Sequence, residues 1–370
     1  MLLDSIVYII LSFLVFSLCF TIVNNFFLAK PNKLLKTDQN KPLISILIPM
    51  RNEERNVTNL IHYIKKLSYE NYEVFLLDDR STDNTRSLAI KAIDDDERFH
   101  LLDGVPLQEG WVGKVHACHQ LSKQAKGKYL LFIDADVRLH PSSIEMTLPY
   151  FHSNNVKLVT GFPRFPVTSF LSKLLVPMQH FVVWTHLPAF IANLTIQPKA
   201  TAAHGAFMMF EANGYTEIGG HSSVKNSLVE DVHIARKVKE SGYFVKLINN
   251  TSFITCYMYD TNKEVWEGFL KNIYTGIGRS KIMVFFLSVY YTFVYILPFP
   301  IAIFNEGWLY TVPILFIFLQ KAFIDWQTLQ KKWLFILMPF SAIAFIIIMH
   351  ASMWRSILKQ DYMWKGRAYK

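Results

Sequence analysis

Two carboxylates one residue apart, Asp134 and Asp136, close the stretch 128–137, KYLLFIDADV. An aliphatic and aromatic run that ends abruptly in acid reads as a buried strand delivering both side chains to its C-terminal edge. Side chains alternate along an extended chain, so Asp134 and Asp136 would project to one side and could face one divalent cation. A hard cation held by one or two carboxylates keeps positions open for phosphate oxygens. The competing account is a strand followed by an Asp-rich turn.

The surrounding chain supplies the elements such a pair would need. From residue 43, short β-branched runs alternate with amphipathic segments, the pattern of an α/β domain with a mainly parallel sheet. Residues 44–48 read as a strand stopped by Pro49, and Arg51-Asn52-Glu53-Glu54 opens a helix running to about Leu67. Residues 73–77 form a second strand that ends in Asp78-Asp79-Arg80-Ser81-Thr82-Asp83, where Ser81 to Asp83 can cap the next helix. Residues 100–102 and 157–160 complete the strands. In open α/β sheets ligands bind beyond the carboxyl ends of strands, and three of these strands end in polar, mostly acidic clusters. Residues 232–240 form a charged helix entered through Glu230-Asp231 and stopped by Gly242.

Composition bounds the setting. The 370 residues are 51% hydrophobic, and the apolar residues concentrate at the two ends, which implies a soluble domain between membrane segments. The formal charge of +9 could suit nucleic acid, but the basic residues cluster beside apolar segments, so no nucleic-acid partner is expected and an anionic lipid surface is. Three widely spaced cysteines, Cys19, Cys118 and Cys256, indicate neither a disulfide framework nor a zinc site. Residues 6–28 read as an uncleaved anchor followed by Lys30, Lys33, Lys36 and Lys41, which puts the N-terminus outside and the domain in the cytoplasm. The expected organisation is an anchor over 1–29, a catalytic domain over 42–260 with interfacial helices at about 166–195, apolar segments over 281–350, and a basic tail over 351–370. Residues 282–304 span comfortably, 308–323 are short and 333–350 are near the minimum. Three crossings would leave the tail outside, whereas Arg355, Lys359, Lys365, Arg367 and Lys370 favour the inside, so the short segment is the one expected not to cross.

Taken in order, Pro49-Met50-Arg51-Asn52-Glu53-Glu54, Asp78 to Thr85, Asp134-Ala135-Asp136 and Glu230-Asp231 resemble glycosyltransferase family 2, inverting enzymes of the GT-A nucleotide-sugar fold. The resemblance covers roughly residues 43–257. It implies a UDP-sugar held by Pro49, Arg51, Asn52, Glu53, Asp78 and Asp79, with Mg²⁺ or Mn²⁺ on Asp134 and Asp136 against the diphosphate. Asp231 would be the general base facing the acceptor hydroxyl, its pKa raised by Glu230. Acidic residues favoured in a first helical turn by the macrodipole are the alternative account of that pair.

A narrower set of matches resembles a membrane subgroup of the family that glycosylates carotenoid acids or accompanies hopanoid synthesis. Gly110-Trp111-Val112-Gly113-Lys114 matches its G-W-x-G-K stretch, with Gly113 admitting a phosphate to the backbone and Lys114 pairing with it. His204-Gly205 and Gly220-His221 also fit, as acceptor contacts, although His221 could be a satisfied loop histidine. The tail Trp364-Lys365-Gly366-Arg367-Ala368-Tyr369 matches W-x-G-R-x-Y, with Arg367 reaching the donor and Trp364 the acceptor, or else serving as a basic interfacial anchor. The Q-x-x-R-W motif of processive synthases is missing from residues 266–280, which favours transfer of a single hexose to a lipidic acceptor over polymer synthesis.

Overall fold

The computed structural model describes residues 1–28, 41–152, 155–360, 362–364 and 367–369. Lys30, Lys33, Lys36, Lys365 and Lys370 lie outside the described residues, and so do the side chains of Trp364 and Arg367. The chain divides into two compact units: Phe27–Arg164 with Pro188–Met258, and Met1–Phe26 with Phe165–Leu187 and Tyr259–Lys370.

Among its described residues the first unit has nine strands: β1 (Ile44–Met50), β2 (Tyr72–Asp78), β3 (Phe99–Asp103), β4 (Tyr129–Phe132), β5 (Val137–Leu139), β6 (Val156–Gly161), β7 (Met208–Glu211), β8 (Phe244–Ile248) and β9 (Ile254–Cys256). Seven form one sheet in the order β3-β2-β1-β4-β7-β6-β8. All neighbours are parallel except β7, which runs antiparallel to both β4 and β6. β5 and β9 make a separate antiparallel ribbon. The run YLLF of β4 is buried at every position, as a strand covered on both faces must be. Helix Val57–Lys65 presents Val57, Leu60, Ile61 and Ile64 to the core at helical spacing, and the opposite side stays polar.

Three boundaries differ from the sequence reading. The strand through 128–137 ends at Phe132, and Asp134 to Asp136 lie in the turn between β4 and β5. The periodicity of a strand survives in burial, however, because Ile133, Ala135 and Val137 are buried while Asp134 and Asp136 are partly exposed. Pro49 does not stop β1: it sits in register with Leu77, and the strand continues to Met50. The helix expected from Arg51 starts only at Val57, because Asn52 takes a left-handed backbone conformation, φ 52°, and breaks the helical run.

Among its described residues the second unit contains four helices long and apolar enough to cross a membrane: Leu2–Phe27, Lys281–Phe304, Trp308–Gln327 and Leu334–Ile357. The third therefore does not end at Phe323 as expected. It runs 20 residues, and Asp325, whose charge suggested an end, pairs with Lys321 one turn before it, both 2% exposed. Length no longer singles out this segment as one that fails to cross. Inside the unit, Gln320 Nε2 donates to Ser17 Oγ at 2.7 Å and Thr21 Oγ1 at 2.9 Å, and its Oε1 accepts the Tyr295 hydroxyl at 2.9 Å. Polar side chains that find each other in an apolar interior join helices in this way.

Candidate active site

Parallel register brings the carboxyl ends of neighbouring strands to one sheet edge. Met50 lies opposite Asp78, Asp78 opposite Asp103, and Leu47 opposite Phe132. Because β7 is antiparallel and pairs Met208 with Phe132, its beginning lies at the same edge, and His204-Gly205 arrive there just ahead of it. The strand reversal thus places a glycine and a histidine beside the acidic turn, as a parallel strand would not.

At one end of this edge the loops after β1 and β2 are laced together. The Asn52 N–H donates to Ser81 Oγ at 2.9 Å, Thr82 N–H to Asn52 Oδ1 at 2.9 Å, and Glu53 N–H to Thr85 Oγ1 at 2.7 Å. Arg51 Nη1 donates to the carbonyls of Asp79, at 2.6 Å, and Arg80, at 3.0 Å. Asp78 Oδ1 accepts the Ser81 N–H at 3.1 Å, and both Asp78 and Asp79 are buried. Asp83 alone of the expected caps serves helix Thr85–Ile93, accepting the Thr85 N–H at 3.0 Å, while Ser81 is engaged by Asn52. Arg51 and Asn52 therefore act on the two loops themselves, while Pro49 lines the adjacent cavity.

At the other end the charges meet. Lys114 Nζ lies 2.6 Å from Asp134 Oδ1 and 3.1 Å from Glu230 Oε1. Gly113 opens helix Gly113–Ser122, so Lys114 stands in a first helical turn and not in a solvated loop. Gly205 makes the arrangement sterically possible, since a Cβ there would come within 2.8 Å of Lys114 Nζ. Glu230 and Asp231 begin helix Glu230–Glu240. Asp231 accepts the Gly205 N–H on Oδ2 at 3.0 Å and the Val232 N–H on Oδ1 at 2.8 Å. Burial, reinforced by the Glu230 charge and opposed by Lys114, pushes the Asp231 carboxyl up to about 7.

The two histidines behave differently from one another. Burial lowers His204 to about 4, and its Nδ1 accepts the Ala206 N–H at 3.2 Å, which shapes the turn that presents Gly205. His221 is 2% exposed, packs on Phe132 with ring centroids 4.7 Å apart, and pairs through Nδ1 with the Tyr215 hydroxyl at 2.7 Å. It lines the cavity floor as a satisfied histidine, with burial lowering it to about 3. Pro49, Lys114, Asp134, Gly205, His221 and Glu230 line this cavity together.

Among the described residues no three His, Cys, Asp or Glu side chains form a self-sufficient metal cage. The donor set nevertheless suits Mg²⁺ or Mn²⁺, which take one or two carboxylates and complete their shell with water and substrate phosphate. The space beside Asp134 and Glu230 that a Cβ at Gly205 would fill is where such a shell has room. Asp136 is held from behind, its Oδ1 accepting the Cys256 thiol at 3.3 Å and its carbonyl the Tyr257 N–H at 2.9 Å.

The sequence reading passed over Arg138 and Tyr215. Arg138 carried a signal, a cation inside the buried run VRL two residues beyond the acidic pair. Tyr215 carried none, because a buried tyrosine six residues before a histidine is ordinary until the fold pairs them.

Comparison with known proteins bears on the same region. Residues 45–219 match the family model for glycosyl transferase family 2. The chain is 24% identical over 253 residues to 4,4'-diaponeurosporenoate glycosyltransferase of Staphylococcus aureus strain USA300, covering 65% of this chain. The match spans 64% of the length of that curated relative. A mannosyltransferase from Pyrobaculum calidifontis, solved with GDP-mannose and Mn²⁺, superimposes with a TM-score of 0.57 at 13% identity over 97% of this chain and 99% of that one. Strand order and the structural likeness agree on a GT-A-like fold, within which residues 45–219 match glycosyl transferase family 2.

Proposed function

We propose that this enzyme moves one hexose from a UDP-sugar to a lipidic acceptor, with a carotenoid carboxylic acid or hydroxylated terpenoid as the acceptor class, and with inversion at the anomeric carbon. The observation that carries the reading is Asp231. Its carboxylate is oriented by two backbone N–H groups, raised to about 7, and adjoins the Lys114–Asp134–Glu230 cluster. A base with a pKa near ambient pH takes a proton from an acceptor hydroxyl most effectively, whereas an acceptor carboxyl is already ionised.

The chain's residues divide the work. Glu53, Asp78 and Asp79 offer acceptors to a nucleoside at the laced loops, and Lys114 stands where a diphosphate would meet a positive charge. Asp134 and Asp136 would hold Mg²⁺ or Mn²⁺, which supplies positive charge against the departing nucleoside diphosphate. Asp231 receives the acceptor proton. The S. aureus relative supports the acceptor class by its name, and the Pyrobaculum neighbour supports Mn²⁺ while binding a GDP-sugar. The four apolar helices support a multi-pass membrane location, and the lysines around residue 30 support a cytoplasmic catalytic domain.

Purified full-length protein in nanodiscs, given UDP-glucose, UDP-galactose or GDP-mannose with Mn²⁺ and an apocarotenoid carboxylic acid, tests this directly. Mass spectrometry should find the acid carrying one hexose from a UDP-sugar. A ladder of hexoses, a product from GDP-mannose alone, or no product with any lipid acid or alcohol would each overturn the corresponding part.

A further inference from the structure

The acidic turn that presents Asp134 and Asp136 is tied to the nucleoside loop by a buried cation. Arg138, in β5, is 8% exposed. Its Nη1 donates to the carbonyls of Ala135, at 3.2 Å, and Val137, at 2.8 Å, so the guanidinium holds the turn from its own C-terminal side. Its Nη2 reaches 82 residues back along the chain to Asn56 Oδ1 at 3.2 Å. Asn56, 5% exposed, passes the contact on, its Nδ2 donating to Glu53 Oε2 at 3.0 Å. The guanidinium also lies 5.6 Å from the ring centre of Tyr257, whose N–H binds the Asp136 carbonyl.

Each of the three Arg138 hydrogen bonds ends on a neutral oxygen, and the Asp136 carboxylate acts on the guanidinium only through space. Burying a guanidinium without a bidentate carboxylate is expensive, and an apolar residue would fill the same space at less cost. What an apolar residue lacks is the planar fork that binds two separate loops at once. We propose that Arg138 is a positioning residue for donor binding, clamping the Asp134–Asp136 turn to the Glu53–Asn56 loop so that the diphosphate and nucleoside ends of the donor site keep a fixed separation. The proposal rests on the donor-site reading above. Displacement of a reacting group by about 1 Å can cost on the order of a hundredfold, which is the scale at which such a clamp matters.

Arg138→Met, Arg138→Lys and Asn56→Ala in the full-length protein separate positioning from bulk stability. Isothermal titration of UDP in the presence of Mn²⁺ should show at least about tenfold weaker binding for Arg138→Met, with donor KM rising in parallel, acceptor KM unchanged and more Mn²⁺ needed for half-maximal binding. Arg138→Lys should fail to restore UDP affinity, because an ammonium cannot reach both loops. The Arg138→Met/Asn56→Ala pair should bind UDP about as Arg138→Met alone does, since each already breaks the Arg138–Asn56 link to Glu53. If Arg138→Met does not fold, Arg138→Lys and Asn56→Ala carry the same measurement. UDP affinity within twofold of wild type in the folded variants, or effects that multiply in the double variant, would overturn the clamp. A wild-type protein that binds neither UDP nor GDP would overturn the donor-site reading and the clamp with it.

Discussion

The two ends of the sheet edge are built on opposite principles. Where the loops after β1 and β2 meet, short hydrogen bonds through Asn52, Ser81, Thr82 and Thr85 join backbone to side chain across about thirty residues of sequence, and neighbouring loops act as one surface. Where Lys114, Asp134, Glu230 and Asp231 meet, Asp134 and Glu230 share one ammonium, and the neighbouring Asp231 is driven to about 7. The first end is fixed by these cross-loop bonds and suits binding a nucleoside without rearrangement. The second holds excess negative charge that a cation, a proton or a substrate can relieve, which suits a place where charge moves during reaction.

The contrast should break most completely at the charged end. Asp134→Asn removes a ligand oxygen for a hard cation and the partner of Lys114, and loss of transfer to background, reproduced in the wild type by excess EDTA, is the expected result. Full activity in EDTA would remove metal from the scheme. Asp231→Asn should lower turnover by about a hundredfold or more with donor KM nearly unchanged, as for a lost general base. A raised donor KM with normal turnover would assign Asp231 to binding.

Gly205→Ala sharpens the comparison by steric means, since its Cβ would press on Lys114 Nζ. A fall in kcat/KM of roughly tenfold, on the scale of a misplaced binding group, with an unchanged melting temperature is expected from steady-state kinetics and thermal unfolding. The pH profile probes the same end. The acting form of Asp231 is deprotonated, so kcat should be lost as pH falls through about 7. Stability moves the other way: the native carboxyl keeps a proton that the unfolded chain releases above the ordinary 3.8, so this group's contribution falls as pH rises from there to about 7. Asp231→Asn should flatten both slopes. The smallest effect belongs to the laced end, where Asn52→Ala removes two cross-loop hydrogen bonds. It should cost about 1–3 kcal/mol of stability, read by denaturant unfolding, and leave kcat near wild type.

Local chemistry made much of this legible from residues alone. Aliphatic runs ending in polar clusters predicted strands, and β1, β2 and β4 are strands because burial on both faces demands continuous apolar sequence. The apolar terminal segments were visible for the same reason: about twenty residues without charge are rare unless something apolar surrounds them. Features that depend on partners distant in sequence were not legible. The ends of 128–137 and of 308–323 were misplaced because a turn after Phe132 and a Lys321–Asp325 pair are decided by neighbours, not by periodicity. Likewise, the reversal of β7, the fit of Gly205 against Lys114 and the reach of Arg138 to Asn56 join residues about 75 to 90 positions apart. A sequence states which side chains are available. Which carboxylate shares an ammonium, and which is left near neutrality, follows only when tertiary packing sets distances of 3 Å, because electrostatics and hydrogen bonding act at that range.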